Sequence, residues 1–229
     1  MSIDTGTTSP ETQGSHLHEL EKAVMSARRA YEFRALPDSL QSESESLDNL
    51  AGTLWERFEQ EGEIRDLEEA ISLYRQVLEH RPPQNPLRPN SLNNLSKVLL
   101  RRWSDYGYNP RDVDEAILLP KQALEIQSPT HDHPSLSESL NNLALALWTR
   151  FRQGGQPLDL DKAISMHRQA LELRVSPHPS LSESLNNLAL ALWTRFRQRG
   201  QPLDLDEAIS MQRQALEQRA SSLTPSLFI

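Results

Sequence analysis

Apolar residues recur along this chain at spacings of three and four, the period of one face of an α-helix. In one clear stretch they are Leu136, Leu140, Leu143, Leu147 and Phe151. A second stretch has the same period and carries Leu160, Ala163, Ile164, Ala170 and Leu171. The pattern therefore predicts two consecutive amphipathic helices, each with one buried face.

This pair of helices is written into the chain more than once. The stretch SLSESLNNLALALWTRFRQ begins at Ser135 and again at Ser180, so the period is 45 residues. Residues 134–174 and 179–219 differ at four of 41 positions, which are Gly154/Arg199, Lys162/Glu207, His167/Gln212 and Leu173/Gln218. More divergent copies begin at Ser46 and Ser91, and half a unit begins at Leu20. The chain thus holds four full repeats preceded by half a repeat.

Polar and glycine residues mark where the helices begin and end. Ser135 with Glu138 forms a capping-box pattern, and Asp159 offers side-chain oxygens near the start of the second helix. Gly155 falls where the first helix must end, as do Gly62, Gly107 and Gly200, and these positions favour a left-handed backbone. We predict nine helices, over residues 16–35, 40–61, 65–81, 88–106, 110–127, 134–153, 158–174, 179–198 and 203–220.

Helix pairs this short cannot bury their apolar faces alone, whereas stacking each pair on the next makes a continuous core. The sequence therefore predicts an all-α repeat domain over residues 16–220, with a disordered tail at 1–15 and a second tail at 221–229. The predicted boundaries are 16–37 for the half repeat, then 38–83, 84–130, 131–175 and 176–220.

The motif SLNNLALALWTRF, followed by a glycine, DLDKAI and RQALELR, resembles a lengthened tetratricopeptide repeat (TPR). It is similar to kinesin light chain repeats and to the arrays of fungal proteins that carry caspase-like CHAT or NTPase domains. The small-residue signature falls on Ala144, Ala163 and Ala170. Two features depart from the family: the unit exceeds the ordinary length of about 34 residues, and of the aromatic positions in the second helices only Tyr74 conforms. HEAT-type repeats have a compatible period, but the NNLA and A…A spacings favour TPR.

The resemblance implies a right-handed α-solenoid, a TPR-like superhelix whose first helices line a concave groove that binds a peptide or partner segment. Helical geometry puts one stripe of each first helix on that side. The residues that we predict to contact a partner there are Asn93, Lys97, Arg101, Asn141, Leu145, Trp148, Asn186, Leu190 and Trp193. Asn141 and Asn186 could hold the backbone of an extended peptide, and the cations Lys97 and Arg101 favour an acidic residue on it. For Trp148, Trp193 and the two later Asn residues, packing between helices or a solvated surface is the competing interpretation.

Three other features attract attention, and for each a structural interpretation is favoured. An arginine recurs beside the end of each first helix, at Arg57, Arg102, Arg150 and Arg195. Its positive charge there interacts favourably with the helix dipole and can pair with a nearby Asp. His131 and His133 flank Asp132 in a Pro-rich loop without a second cluster, which argues against a metal site. Pro120 lies inside a second helix and predicts a kink.

Composition narrows the function classes. The net charge of −8 disfavours nucleic acid and anionic membranes as partners, because both reward clustered Lys and Arg. The chain has no Cys, no apolar run long enough to span a membrane and no secretory signal, so we expect a cytoplasmic protein. No nucleotide-binding, nucleophile-elbow or zinc-protease motif occurs, so we expect no enzyme and no cofactor.

These observations predict a non-catalytic scaffold that binds a protein or peptide partner in its groove. The alternative is the sensor or regulatory arm, or a fragment, of a CHAT caspase-like or NTPase effector, which an effector domain encoded beyond Ile229 would support. The last helix pair carries Leu203, Leu205, Ile209 and Leu216 on a face that we expect to be partly uncovered, and this predicts self-association through the C-terminal repeat.

Overall fold

The computed structural model describes residues 10–34, 40–107, 109–127, 135–174 and 180–223, and the regular elements in these ranges are all α-helices. They are α1 (Pro10–Arg34), α2 (Leu40–Glu61), α3 (Ile64–His80), α4 (Arg88–Tyr106), α5 (Pro110–Gln127), α6 (Leu136–Arg152), α7 (Pro157–Glu172), α8 (Leu181–Arg199) and α9 (Pro202–Leu223). The nine predicted helices are confirmed within these described ranges, and α2, α4 and α5 have the predicted bounds. Helix α1 begins at Pro10, earlier than predicted. His131 and His133 lie outside the described residues.

The chain forms two compact units, Met1–Val98 and Leu99–Ile229. In the first unit, α2 packs against α1 and against α3. In the second unit, α6 packs against α5 and α7, and α8 packs against α7 and α9. In each of these pairs the helices are neighbours in the sequence, as stacked helix pairs require.

A salt bridge with two hydrogen bonds joins the two helices of each full repeat. Both Nε and Nη2 of the recurring arginine donate to the two carboxylate oxygens of an aspartate at the start of the second helix, at 2.5 to 2.9 Å. The pairs are Arg57–Asp66, Arg102–Asp112, Arg150–Asp159 and Arg195–Asp204. The predicted pairing of these arginines with aspartates is confirmed. The predicted capping role of Asp159 is wrong, because α7 already begins at Pro157, with Gln156 as its N-cap.

A second recurring contact joins each repeat to the next one. A buried residue at the end of a second helix, or one or two positions beyond it, reaches the serines at the start of the following helix. Arg81 donates to Ser91 Oγ at 2.5 Å, Gln127 to Ser135 Oγ at 2.7 Å, and Arg174 to Ser184 Oγ. Ser135 makes no side-chain cap of its own helix, so the predicted capping box does not form there, and its counterpart Ser180 makes none either. The serine side chains serve packing between consecutive helices.

The predicted left-handed glycine of the third repeat is shifted by one residue. Gly62, Gly107 and Gly200 have the positive φ that the sequence predicts, but in the third repeat Gly154 has it, at 94°, and Gly155 does not. The reason lies in the difference Gly154/Arg199: α6 ends at Arg152, whereas α8 continues through Arg199. Gly155 is required instead by a close approach, since a Cβ there would lie 2.6 Å from the Arg150 carbonyl oxygen.

We expect Gly155→Ala to lower the free energy of unfolding by about 1–3 kcal/mol, because the added methyl meets backbone that cannot yield easily. The matched control is Gly52→Ala in the middle of α2, where the new Cβ would meet only Tyr74 Oη at 3.8 Å. That change should stabilise the protein by about 0.5–1 kcal/mol, because alanine loses less backbone entropy in a helix. Urea denaturation of the two variants measures both effects, and equal stabilities would contradict the assignment.

Candidate partner-binding groove on the last repeat

The residues predicted to contact a partner fall into three groups. Asn93 and Asn141 are buried, whereas Leu145, Trp148 and Asn186 are half-buried. The others, Lys97, Arg101, Leu190 and Trp193, are exposed. Burial removes the amides of Asn93 and Asn141 from the surface, and the expectation that Asn141 holds a peptide backbone does not agree with its position. The partner-binding role of the remaining residues stays a prediction.

Asn141 is buried because α7 supplies it with a partner. Nδ1 of His167 donates to Oδ1 of Asn141 at 3.0 Å, and the imidazole is only 1% exposed. Burial, with a smaller effect of the nearby Arg174 charge, lowers the pKa of His167 to about 3. The ring is therefore neutral and structural at neutral pH. Sequence reasoning missed this pair, although His167 occupies the position where Tyr74 supplies the expected aromatic ring.

The two equivalent tryptophans have different surroundings. Trp148 packs against the hydrophobic cluster that α8 completes, and its Nε1 donates to Thr194 Oγ1 at 3.2 Å. Trp193 is 43% exposed, and its indole has the Arg197 guanidinium over the ring at 5.0 Å. Packing between repeats is thus the role that the structure shows for Trp148. Trp193 keeps its ring available at the surface.

An apolar groove of about 480 Å³ lies beside Trp193, between α8 and α9. Its lining consists of Ala189, Leu190, Trp193, Leu205, Ala208, Ile209, Gln212, Arg213 and Leu216. Leu203, Ile209 and Leu216 are 80%, 42% and 64% exposed, so the predicted uncovering of this face is confirmed for these three residues. We call this surface the terminal groove.

The terminal groove is the counterpart of a surface that is covered in the third repeat. Ile164, which corresponds to Ile209, is 1% exposed, because it belongs to a cluster with Phe151, Leu188 and Leu192. The two leucines come from α8, which lies against α6 and α7. Eight of the nine lining residues of the terminal groove are thus the same in the third repeat, where the corresponding surface holds a helix, and Gln212 stands where the third repeat has His167.

Ion pairs surround the covered surface of the third repeat. Arg168 donates to Glu207 at 3.1 and 2.6 Å, and Asp161 accepts from Arg199 at 3.0 and 2.8 Å and from Arg195 at 3.3 Å. Hydrogen bonds from Arg199 and Arg195 hold the pKa of Asp161 below its ordinary value. These ion pairs thus connect the fourth repeat to the third in addition to the apolar cluster.

Comparison with known proteins supports one fold. Residues 44–84 match the sequence model of the tetratricopeptide repeat family. Two structures of a Podosopora anserina protein with nearly identical TPR-like repeats of the kinesin light chain type align with the chain. One has a TM-score of 0.61 at 22% identity and covers 93% of each chain. The other has a TM-score of 0.58 at 23% identity and covers 94% of this chain and 95% of its own.

Residues 44–84 form a tetratricopeptide repeat. The fold of the chain is accordingly an all-α TPR-like solenoid, as the sequence pattern predicts. MamA has the same fold, with a TM-score of 0.53 and 14% identity over 97% of this chain and 99% of its own. No curated protein matches the chain in sequence. TPR folds are typically protein-interaction scaffolds, and within this fold the terminal groove is the exposed apolar feature of the last repeat.

Neither of the predicted cations, Lys97 and Arg101, lines the terminal groove, and each contacts a neighbour in its own unit. In the first unit, Lys97 Nζ lies 5.2 Å from the centre of the Trp55 ring. In the second unit, Arg101 pairs with Asp105 at 2.7 Å. Within the described ranges, no cluster of His, Asp and Glu offers a metal site, and no helix is both long and apolar enough to cross a membrane.

Proposed function

We propose that this protein is a non-catalytic interaction module and that its TPR repeats bind a segment of a protein partner in the terminal groove. One observation carries the proposal: at eight of its nine lining positions the groove has the same residue as the surface on which the third repeat holds α8, and only Gln212 differs, from His167. Leu190 and Trp193, two of the residues predicted to contact a partner, line it. Large exposed apolar patches mark interaction sites, and an amphipathic helix laid into an apolar groove is a recurring mode of peptide recognition.

The negative net charge of the chain and the apolar lining of the groove favour a protein partner over nucleic acid. The net charge of −8 disfavours a polyanion, and the groove itself is mainly apolar. The partner could belong to a CHAT caspase-like or NTPase effector, as the resemblance to effector arrays implies. In that alternative the groove contacts the effector domain, and the chain has a regulatory role.

Affinity capture from a native lysate tests the proposal with two lysine substitutions. Ile209→Lys places a charge in the groove, whereas Leu158→Lys places one at a 53% exposed leucine near the start of α7, outside the groove. We expect proteins retained by the wild type to be lost with Ile209→Lys, because a buried unpaired charge opposes apolar docking. They should be kept with Leu158→Lys.

Thermal unfolding of both variants verifies that each is folded, since both positions are exposed and little stability should change. If Ile209→Lys retains the same proteins as the wild type, partners bind on another surface and the proposal is wrong.

A further inference from the structure

We infer that the terminal groove accepts one class of ligand, an amphipathic helix of the α8 type that is followed by a turn and an acidic residue. The charged residues of this ligand are those of the fourth repeat, Arg199 and Glu207, and not the Gly154 and Lys162 of the third. This inference rests on the proposed function, because it names the ligand of the same groove.

The apolar part of the ligand follows from what α8 does in the third repeat. Leu188 and Leu192, one helical turn apart, pack into the cluster with Phe151, Leu160 and Ile164. The counterparts of these three residues in the fourth repeat are Phe196, Leu205 and Ile209. A helix with leucines four residues apart would therefore find the same apolar contacts in the terminal groove.

The indole N–H of Trp193 indicates that the ligand carries a hydroxyl group. Trp148 Nε1 donates to Thr194 Oγ1, which lies two residues after Leu192 on α8. Trp193 occupies the equivalent place at the terminal groove. A Thr or Ser two residues after the second leucine would give its indole N–H the same acceptor.

Charges on the ligand follow from the rim of the groove. Asp161 and Arg168 hold Arg199 and Glu207 of the fourth repeat. Their counterparts are Asp206 and Arg213, which are both exposed and make no ion pair within the described part of the chain. The rim thus offers one acidic and one basic group in the arrangement that already binds an arginine and a glutamate one repeat earlier.

The third and fourth repeats differ at the two positions whose side chains would face Asp206 and Arg213 at the rim of the groove. Where the fourth repeat has Arg199 and Glu207, the third has Gly154 and Lys162. A ligand of the third-repeat type lacks the arginine that would pair with Asp206, and its lysine would meet Arg213 as a like charge. The rim should therefore prefer a ligand of the fourth-repeat type.

Two natural segments of this chain provide matched probes. Peptides with the sequences of residues 180–209 and 135–164 are both 30 residues long and differ only at Arg199/Gly154 and Glu207/Lys162. We expect the fluorescein-labelled 180–209 peptide to bind the full chain about 3- to 10-fold tighter than the 135–164 peptide in fluorescence anisotropy. The reason is that its arginine and its glutamate can form two partly exposed ion pairs with the rim of the groove. The preference should decrease as salt is raised, and Ile209→Lys should weaken both peptides.

Charge reversal on the protein tests the rim directly. With Arg213→Glu, the advantage of the 180–209 peptide should fall by about 3-fold or more. The glutamate that this peptide has at position 207 then meets a like charge, whereas the lysine that the other peptide has at position 162 meets an opposite charge. The charge-conserving Arg213→Lys should keep most of the preference.

Equal binding of the two peptides, or a preference that Arg213→Glu does not change, would overturn the inference. Absence of binding at millimolar peptide would also overturn it, while the proposed function would still be judged by the capture experiment with Ile209→Lys. Dimers of the full chain that Ile209→Lys abolishes, but that excess 180–209 peptide does not dissociate, would identify a second copy as the occupant and overturn the helix assignment.

Discussion

Replacing Arg102 by alanine should lower the free energy of unfolding by about 3–5 kcal/mol, because it leaves the buried carboxylate of Asp112 without its cation. The side chains of Arg102 and Asp112 are 11% and 1% exposed, and two hydrogen bonds of 2.8 and 2.7 Å join them. Denaturation in urea, followed by the helical circular dichroism signal, measures the loss.

The neighbouring arginine is a matched control for this change. Arg101 forms an ion pair with Asp105 on the surface of the same helix, with side chains 44% and 32% exposed. Arg101→Ala should therefore cost no more than about 1 kcal/mol. In the double variant Arg102→Ala with Asp112→Ala, much of the penalty should disappear, because the unpaired charge is gone. A loss for Arg102→Ala as small as that for Arg101→Ala would show that the pair contributes only as a surface contact.

The second large effect is an acid destabilisation that His167 causes. Its pKa is lowered from the ordinary value of 6.5 to about 3, first by burial and then by the charge of Arg174. As the pH falls below 6.5, the His167 imidazole takes up a proton in the unfolded chain, whereas in the folded chain it stays neutral until the pH approaches about 3. The stability present above pH 6.5 is therefore lost as the pH falls toward 3. Between pH 6 and pH 4 the loss should be about 2–3 kcal/mol.

His167→Gln should remove this part of the pH dependence, and the fourth repeat already carries Gln212 at the same position. The free energy of unfolding, measured in urea at pH 6, 5 and 4, should fall less steeply for the variant than for the wild type. His80→Gln is the control, since it removes a half-buried histidine of α3 and leaves His167 in place. If the slopes of the wild type and His167→Gln coincide, the imidazole is not held neutral in the folded state.

The recurring arginine–aspartate pairs show what near-identical repeats can share and where they must differ. The pair between the two helices of a repeat occurs in every full repeat, because each repeat must orient its own helices. Two ion pairs from the third repeat to the fourth, Asp161–Arg199 and Arg168–Glu207, use two of the four positions at which the copies differ. These differences occur where one copy binds the other.

The periodicity of the sequence determined the helices, the repeat and the TPR-like fold. Apolar residues at spacings of three and four, with glycines between them, report a local property of the backbone, and for this reason α2, α4 and α5 could be predicted with their bounds. The four recurring arginines could also be assigned to aspartates, because each pair repeats within one unit of sequence.

Tertiary structure decided which side chains of a repeated stripe are covered. Asn141 and Trp148 have the same local sequence as Asn186 and Trp193, so no local pattern can separate them. His167 covers Asn141 from α7, and Thr194 of α8 accepts from Trp148, whereas Trp193 lies open beside the terminal groove. Burial is a property of the neighbouring helix, and identical sequences acquire different surfaces when their neighbours differ.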